Sequence, residues 1–550
     1  MALTCAWTAS PASAQSPGRA LTETTRPLEL YVAARAASLL GEPDVSAEYY
    51  AKWLRAAPSP DSSMETRAAS AAIAAGRFDL ARAIAADSSA PGEFALDLRL
   101  LLLADALRGE RCGQALEILV DEQARIGLDF IEPFVRGWID AETRKGDYAI
   151  RAARRLAALP EDRALARQQS EHAAHLFLMA GVIEPAGPLV DTALSRAGIR
   201  ELPLRLAFAD RYAALGRPDL AASLLAGEDP TLADARIRLA EGESLGLAIL
   251  TPAQAFSELM MALALDVVAS GAGGDMPVQL AQVARAAAPD SPSAALAAGA
   301  ILANDSRSED ALALYATVPA TSALAHRARD SRIQALLGAG RAAEAVRVSR
   351  EALSADDSAA AWARLGDALS ASERHAEAAI AYGHARGAGG NDWELLFLEA
   401  AAYHQAGDWP AARPLFQGAL ALAPDDPLVL NYLGYAMLEA GEDTALASAY
   451  IRKAASLSPD SAAITDSLGW ALYKLGDLAG AVEALERASM LAPSDPDVLE
   501  HHGDALYAAG RRIDARHAWH AAIVYAETET MTGRLEDKIL YGLGPANAAP

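Results

Sequence analysis

Five small residues, Gly366, Ala400, Gly434, Gly469 and Gly503, recur along the chain at steps of 34, 34, 35 and 34 residues. Twelve or thirteen positions after each comes an alanine: Ala378, Ala412, Ala447, Ala481 and Ala515. Four positions further stands a bulky residue, Tyr382, Phe416, Ile451, Leu485 or Trp519, and three beyond it another alanine, Ala385, Ala419, Ala454, Ala488 or Ala522. Pro424, Pro459 and Pro493 close three of the units. A fixed period of this length marks one supersecondary unit stacked many times, each burying its apolar face on the next.

Inside a unit, two stretches of about a dozen residues carry apolar side chains at helical spacing, as in Ser467-Leu468-Gly469-Trp470-Ala471-Leu472-Tyr473. Gly407-Asp408, Gly476-Asp477 and Gly510-Arg511 fall between the two stretches, where glycine can adopt the positive φ that ends a helix. The second helix is expected over Ala479 to Leu491, stopped by Pro493. Small residues such as Gly469 and Ala481 let the paired helices approach closely, and the bulky ones fill the space between hairpins. No run alternates apolar and polar residues over a strand length, and alanine favours helix throughout. The expected class is all-α.

The glycine, the alanines, the bulky residue and the closing proline together resemble the tetratricopeptide repeat, in phase over residues 359–527. Asn431-Tyr432-Leu433-Gly434-Tyr435 and Asp466-Ser467-Leu468-Gly469-Trp470 resemble the C-terminal repeats of a broad group of proteobacterial multi-repeat proteins of the envelope. The resemblance implies a right-handed superhelical α-solenoid of stacked hairpins, and a non-enzymatic scaffold that binds a protein or peptide in its concave groove.

The phase continues upstream at Ile333, Gly299 and Leu265, and further back at Ala209, Ala174, Ile139, Leu103, Ala69 and Ala34. It breaks between about 229 and 252, because Ala209 and Leu265 are 56 residues apart, one repeat plus an insert. The expected organisation is a signal-like or disordered segment over 1–27, degenerate hairpins over 28–228 and an irregular helical segment over 229–290. Hairpins follow over 291–358, then the regular array over 359–527, a capping helix over 528–544 and a disordered tail over 545–550. The cap rests on Leu535, Ile539, Leu540 and Leu543 at helical spacing.

Lys and Arg number 48 against 72 Asp and Glu, a net charge of −24. That balance disfavours nucleic acid and anionic membranes as partners and suits basic ones. Met1 to Ala14 is small and apolar and ends in Ala12-Ser13-Ala14 before Gln15, the pattern of an export cleavage site. Periplasmic localisation is therefore expected, with a cytoplasmic adaptor as the alternative. No stretch reads as a membrane span. Cys112 has no motif around it and reads as a small core residue.

No nucleophile elbow, phosphate loop or dinucleotide fingerprint occurs, and no cofactor or metal is expected. His517 and His520 are three apart with Glu500 and Asp504 nearby in the same hairpin, but by phase they lie on the second helix, away from His501, and His502 takes a packing position; His172 and His175 are also three apart, without further ligands in view. Mapping the repeat phase onto the first helices places Asn431, Tyr435, Asp466, Trp470, Tyr473, Lys474, Glu500, Asp504 and Tyr507 on or near the concave face. Aromatic residues beside carboxylates suit an extended or helical peptide with basic and apolar side chains. The alternative is that Trp470 and Tyr435 only pack against the next hairpin. Asp466 and Glu500 are acidic where the family's carboxylate clamp is basic, which disfavours chaperone C-terminal tails.

Overall fold

A computed structural model describes residues 27–56, 62–88, 94–121, 127–144, 146–160, 165–227, 229–271, 274–354, 356–389, 392–526 and 528–544. The expected signal segment and the expected tail over 545–550 lie outside the described residues, apart from the residue Pro27. Among the described residues the chain folds into thirty α-helices and one 3-10 turn, without a strand. It divides into two units, Met1–Gly338 and Ala339–Pro550.

The second unit is the regular one. Its hairpins pair Ala359–Ala371 with His375–Gly387, Trp393–Gln405 with Trp409–Leu422, Pro427–Glu439 with Thr444–Leu457, Ala462–Lys474 with Leu478–Leu491, and Pro496–Ala508 with Arg512–Tyr525. Local chemistry starts and stops these helices. Asp392, Asp408, Asp426, Asp443, Ser461, Asp477 and Asp495 each cap a helix N-terminus by accepting from a backbone N–H. Such a cap is typically worth about 1 kcal/mol. Gly476 and Gly510 turn between helices at φ of 81° and 84°.

The period has a direct packing cause. A Cβ placed on Gly366 would lie 2.5 Å from the Tyr382 ring, and one on Gly434 would lie 2.7 Å from Ile451 Cγ1. Equivalent Cβ atoms on Gly469 and Gly503 would fall on Leu485 and on the Trp519 indole. Gly299, in the first unit, faces Tyr315 in the same way. The small residue of each first helix is thus the seat of the bulky residue of its own second helix. The bulky residue fills the hairpin interior rather than only the space between hairpins.

The first unit departs from a simple stack. Pro252–Ala269 and Met276–Ala287 form a hairpin that packs on Leu96–Arg108, and the former also on Glu132–Thr143, far upstream. Gln282 Nε2 and Arg307 Nη1 both donate to the carbonyl of Ala74, at 3.4 and 2.8 Å. This unit therefore folds back on itself.

The phase break at 229–252 is the helix Pro230–Ala240 followed by irregular chain to Thr251. Asp210 organises that chain by accepting from the backbone N–H of Leu245 and Leu247 at 2.9 and 3.0 Å and from the Ser244 hydroxyl. One buried carboxylate thereby satisfies donors that no helix ladder reaches. Pro252–Ala269 is long and apolar enough to cross a membrane, although no such stretch is expected from sequence. Half of it is buried within the protein, and its Glu258 accepts from Arg200 at 3.0 Å, as a core helix does.

Beyond the fifth regular hairpin, Glu529–Tyr541 packs on Arg512–Tyr525. Leu535 is fully buried, and Met531 is buried beside it. Ile539 and Leu543 pack at the edge of the same core. Leu540 is exposed, contrary to expectation. Leu506, 34 residues earlier, shares a core with Ala515 and Trp519 of the second helix of its hairpin, and among the described residues no such helix meets Leu540.

Candidate partner-binding groove

All nine candidate groove residues belong to the second unit and lie on three successive first helices, Pro427–Glu439, Ala462–Lys474 and Pro496–Ala508. The structure separates them into two groups.

Asp466, Trp470, Glu500 and Asp504 are buried and already partnered. His501 Nδ1–H donates to the Asp466 carboxylate at 2.9 Å, and its ring stacks on Trp470 with centroids 4.4 Å apart. Burial opposes charge on His501, but Asp466 outweighs it and holds the imidazole above its ordinary pKa. Trp470 also stacks on Tyr473 at 5.0 Å, and the Lys474 ammonium lies 4.4 Å from its ring centroid. Trp470 is 2 % exposed, so its role is packing between hairpins. The expectation that it offers a free aromatic face is corrected: the next first helix brings His501 onto that face.

Glu500 and Asp504 meet the C-terminal helix. Arg534 donates to both Glu500 oxygens at 2.7 Å, and Lys538 donates to Glu500 at 2.6 Å and to Asp504 at 2.8 Å. The Trp519 indole N–H donates to Asp504 at 2.9 Å. Burial raises the pKa of Glu500, but the Arg534 and Lys538 hydrogen bonds outweigh it and leave the carboxyl below its usual range. These two acids are therefore not open to a partner. Sequence reasoning missed their partners, although the signal was present: Arg534 and Lys538 lie 34 residues after Glu500 and Asp504, one repeat further on. The C-terminal helix is thus the first helix of a sixth repeat. Asp537 stands where the small residue belongs, 34 after Gly503, and is exposed.

The other five residues are more accessible. Lys474 is exposed, and Asn431, Tyr435, Tyr473 and Tyr507 are half-buried. Tyr507 packs against Trp519 at 5.5 Å and beneath Gly542, so the C-terminal helix covers part of it. Asn431 Oδ1 is buried without a hydrogen-bond partner among the described residues. Burial raises the pKa of the Tyr435 phenol, and Glu439, Asp466 and Asp497 raise it further.

Outside this surface, the His172 and His175 rings are buried in the first unit. The Trp138 indole N–H donates to His172 Nδ1 at 3.1 Å, and His175 stacks on Phe208 at 4.3 Å. His517 and His520 are exposed on a second helix, away from His501. Cys112 is half-buried, with Sγ 3.8 Å from a Glu142 oxygen. A cavity of about 350 Å3 in the first unit is lined by residues that include Arg108, Glu110, Glu142 and Gly246 to Ile249.

The tetratricopeptide repeat family model matches residues 466–495, the fourth regular hairpin, whose Gly469–Leu485 contact the other glycine-bearing hairpins repeat. The chain carries tetratricopeptide repeats. Solved structures similar to it include the APC/C hetero-tetramer Cut9-Hcn1, at 16% identity and a TM-score of 0.38, covering 94% of this chain and 97% of that one. MamA 41-end from Desulfovibrio magneticus RS-1 is 20% identical with a TM-score of 0.28, over 30% of this chain and 94% of that one. Pseudomonas aeruginosa pilF is 18% identical with a TM-score of 0.29, over 34% and 94%. A search of curated proteins gives no match. Tetratricopeptide arrays present extended concave surfaces to other proteins, which assigns the chain in general terms to the interaction scaffolds.

Proposed function

We propose that this chain is a non-enzymatic scaffold of the bacterial envelope that holds a basic, partly apolar peptide or protein segment in the concave groove of its C-terminal array. The observation that carries the reading is the accessible first-helix surface at Tyr435, Tyr473 and Lys474, ahead of a C-terminal helix that occupies Glu500 and Asp504. Tyrosines give large contact area at low entropy cost, and the surrounding carboxylates favour a cationic partner. Tyr435→Ala should weaken capture of the native partner while leaving the melting curve close to that of the parent. Equal capture by the variant removes the groove from the account.

Envelope localisation rests on the Ala12-Ser13-Ala14 motif and on the family resemblance. Mass spectrometry of the native N-terminus tests it. An N-terminus at Gln15 supports export, and a mature chain that retains Met1 to Ala14 favours the cytoplasmic adaptor.

A further inference from the structure

Glu439 and Lys474 stand 35 residues apart, at matching positions of neighbouring repeats, as Gly434 and Gly469 do. Each is the last residue of a first helix, and each is exposed. Each also lies one helical turn beyond an aromatic residue, Tyr435 or Trp470, and is its neighbour on the helix surface. The Lys474 ammonium is 4.4 Å from the Trp470 ring centroid, and His501 holds that ring by stacking on it at 4.4 Å. Burial raises the pKa of the Tyr435 phenol, and Glu439 adds to the rise. Adjacent repeats therefore carry opposite charges on matching aromatic supports.

The two charges do not pair with each other. Among the described residues Lys474 forms no ion pair, and the group of opposite character beside Glu439 is His404 Nε2 at 3.3 Å. The helices that carry them, Pro427–Glu439 and Ala462–Lys474, are packed together. Packed helix axes lie about 8–10 Å apart, so a segment crossing from one first helix to the next meets a negative charge and then a positive one about 10 Å further on. That step spans about three residues of an extended chain or about seven of a helix. Lys474 is the exception on this surface, since Asp466, Glu500 and Asp504 are acidic and already partnered. A uniformly basic segment sets like charge against it, which costs affinity.

We infer that Glu439 and Lys474 together set the register of the partner segment by selecting one basic and one acidic side chain about 10 Å apart. This rests on the peptide-groove reading above and adds a required carboxylate to its cationic partner. The basic side chain meets Glu439, and the acidic one meets Lys474. Both contacts are exposed to solvent, so each is worth about two- to fivefold in affinity and fades as salt rises. Their larger effect is on orientation, because a segment bound the other way round sets like charge against like at both positions.

The test is selection of random peptides displayed on phage against the full chain. Selected peptides should carry opposite charges about three residues apart, or about seven in helical binders, in one preferred order along the peptide. The doubly reversed chain, Glu439→Lys with Lys474→Glu, should select the opposite order, which a loss of stability cannot produce. A synthetic copy of the best parent binder should bind the reversed chain about tenfold more weakly, and a copy with its two charges exchanged should recover the loss. Glu483→Lys, a reversal at an exposed position on a second helix, should change neither the order nor the affinity. Peptides that Tyr435→Ala weakens but that show no charge order, or keep the same order on the reversed chain, overturn the pair and leave the groove standing. Peptides indifferent to Tyr435→Ala, or a failure to select any peptide, overturn the groove reading and the pair with it.

Discussion

Lys538 lies 34 residues beyond Asp504, one repeat, and its ammonium donates to both Asp504 oxygens at 2.8 Å while being wholly shielded from solvent. Glu500 completes the cluster at 2.6 Å. This contact makes the C-terminal helix part of the array rather than an appended tail. It occupies Glu500 and Asp504 from within the chain, while Tyr435, two hairpins earlier, is half-buried.

Removing that ammonium leaves two buried carboxylates with Arg534 as the remaining cation of the cluster. Breaking a buried pair from one side typically costs about 3–5 kcal/mol. Lys538→Met should therefore lower the melting temperature of the C-terminal unit clearly. Adding Asp504→Asn to that variant should return part of the loss. A Lys538→Met chain that melts with the parent would show that the helix is not held by this cluster.

The glycine seats give predictions of opposite sign. Gly503→Ala and Gly469→Leu push side-chain atoms into Trp519 and Leu485, and overpacking of this kind costs about 1–3 kcal/mol. Trp519 cannot swing away freely, because its N–H is committed to Asp504. Gly533 also lies in a helix, but nothing stands within 4 Å of a Cβ there. Gly533→Ala should stabilise by about 0.5–1 kcal/mol through helix propensity alone. Chemical denaturation of the three variants checks both signs.

This packing was legible in the sequence because it repeats. The step from Gly469 to Leu485 recurs from Gly366 to Tyr382 and from Gly503 to Trp519, so phase marks the positions, although the expectation that the bulky residue fills the space between hairpins missed its seat on the glycine of its own hairpin. The fold-back of the first unit was not legible. It depends on Gln282 and Arg307 reaching the Ala74 carbonyl across more than 200 residues, and no periodicity encodes a contact at that separation. The surroundings of the candidate groove residues were half legible. Phase placed Trp470 and Asp466 on the correct helix, but burial by His501 depends on how closely the next hairpin stacks. For Glu500 and Asp504 the partners could have been found by counting one more repeat to Arg534 and Lys538.

Acid should act on the first unit through its buried imidazoles. Burial lowers the pKa of His172 to about 4 and that of His175 to about 3, against an ordinary value of 6.5. The unfolded chain therefore takes up these protons first. Stability is full above pH 6.5 and falls as the pH drops from 6.5 towards 4, with a contribution from His172 of about 3 kcal/mol. Protonation at Nδ1 also breaks the bond from Trp138. His172→Gln, which can still accept from the indole, should flatten this pH dependence in urea titrations followed by tryptophan fluorescence.

His501 works in the opposite sense. Its folded pKa lies above 6.5, because Asp466 outweighs the effect of burial. Its contribution is complete below pH 6.5 and is lost as the pH rises through the folded value. Asp466→Asn should remove that alkaline loss along with part of the stability at pH 6, measured as the melting temperature of the C-terminal unit across the range.

The central claim, a partner seated on the open concave surface, is tested most directly by site-specific photo-crosslinking in the native cell. A photoreactive phenylalanine placed at Tyr435 should capture one discrete partner. The same group at Met490, which is 71 % exposed on a second helix, should capture none. Crosslinks at Met490 with none at Tyr435 would contradict the account and move the binding surface to the second helices.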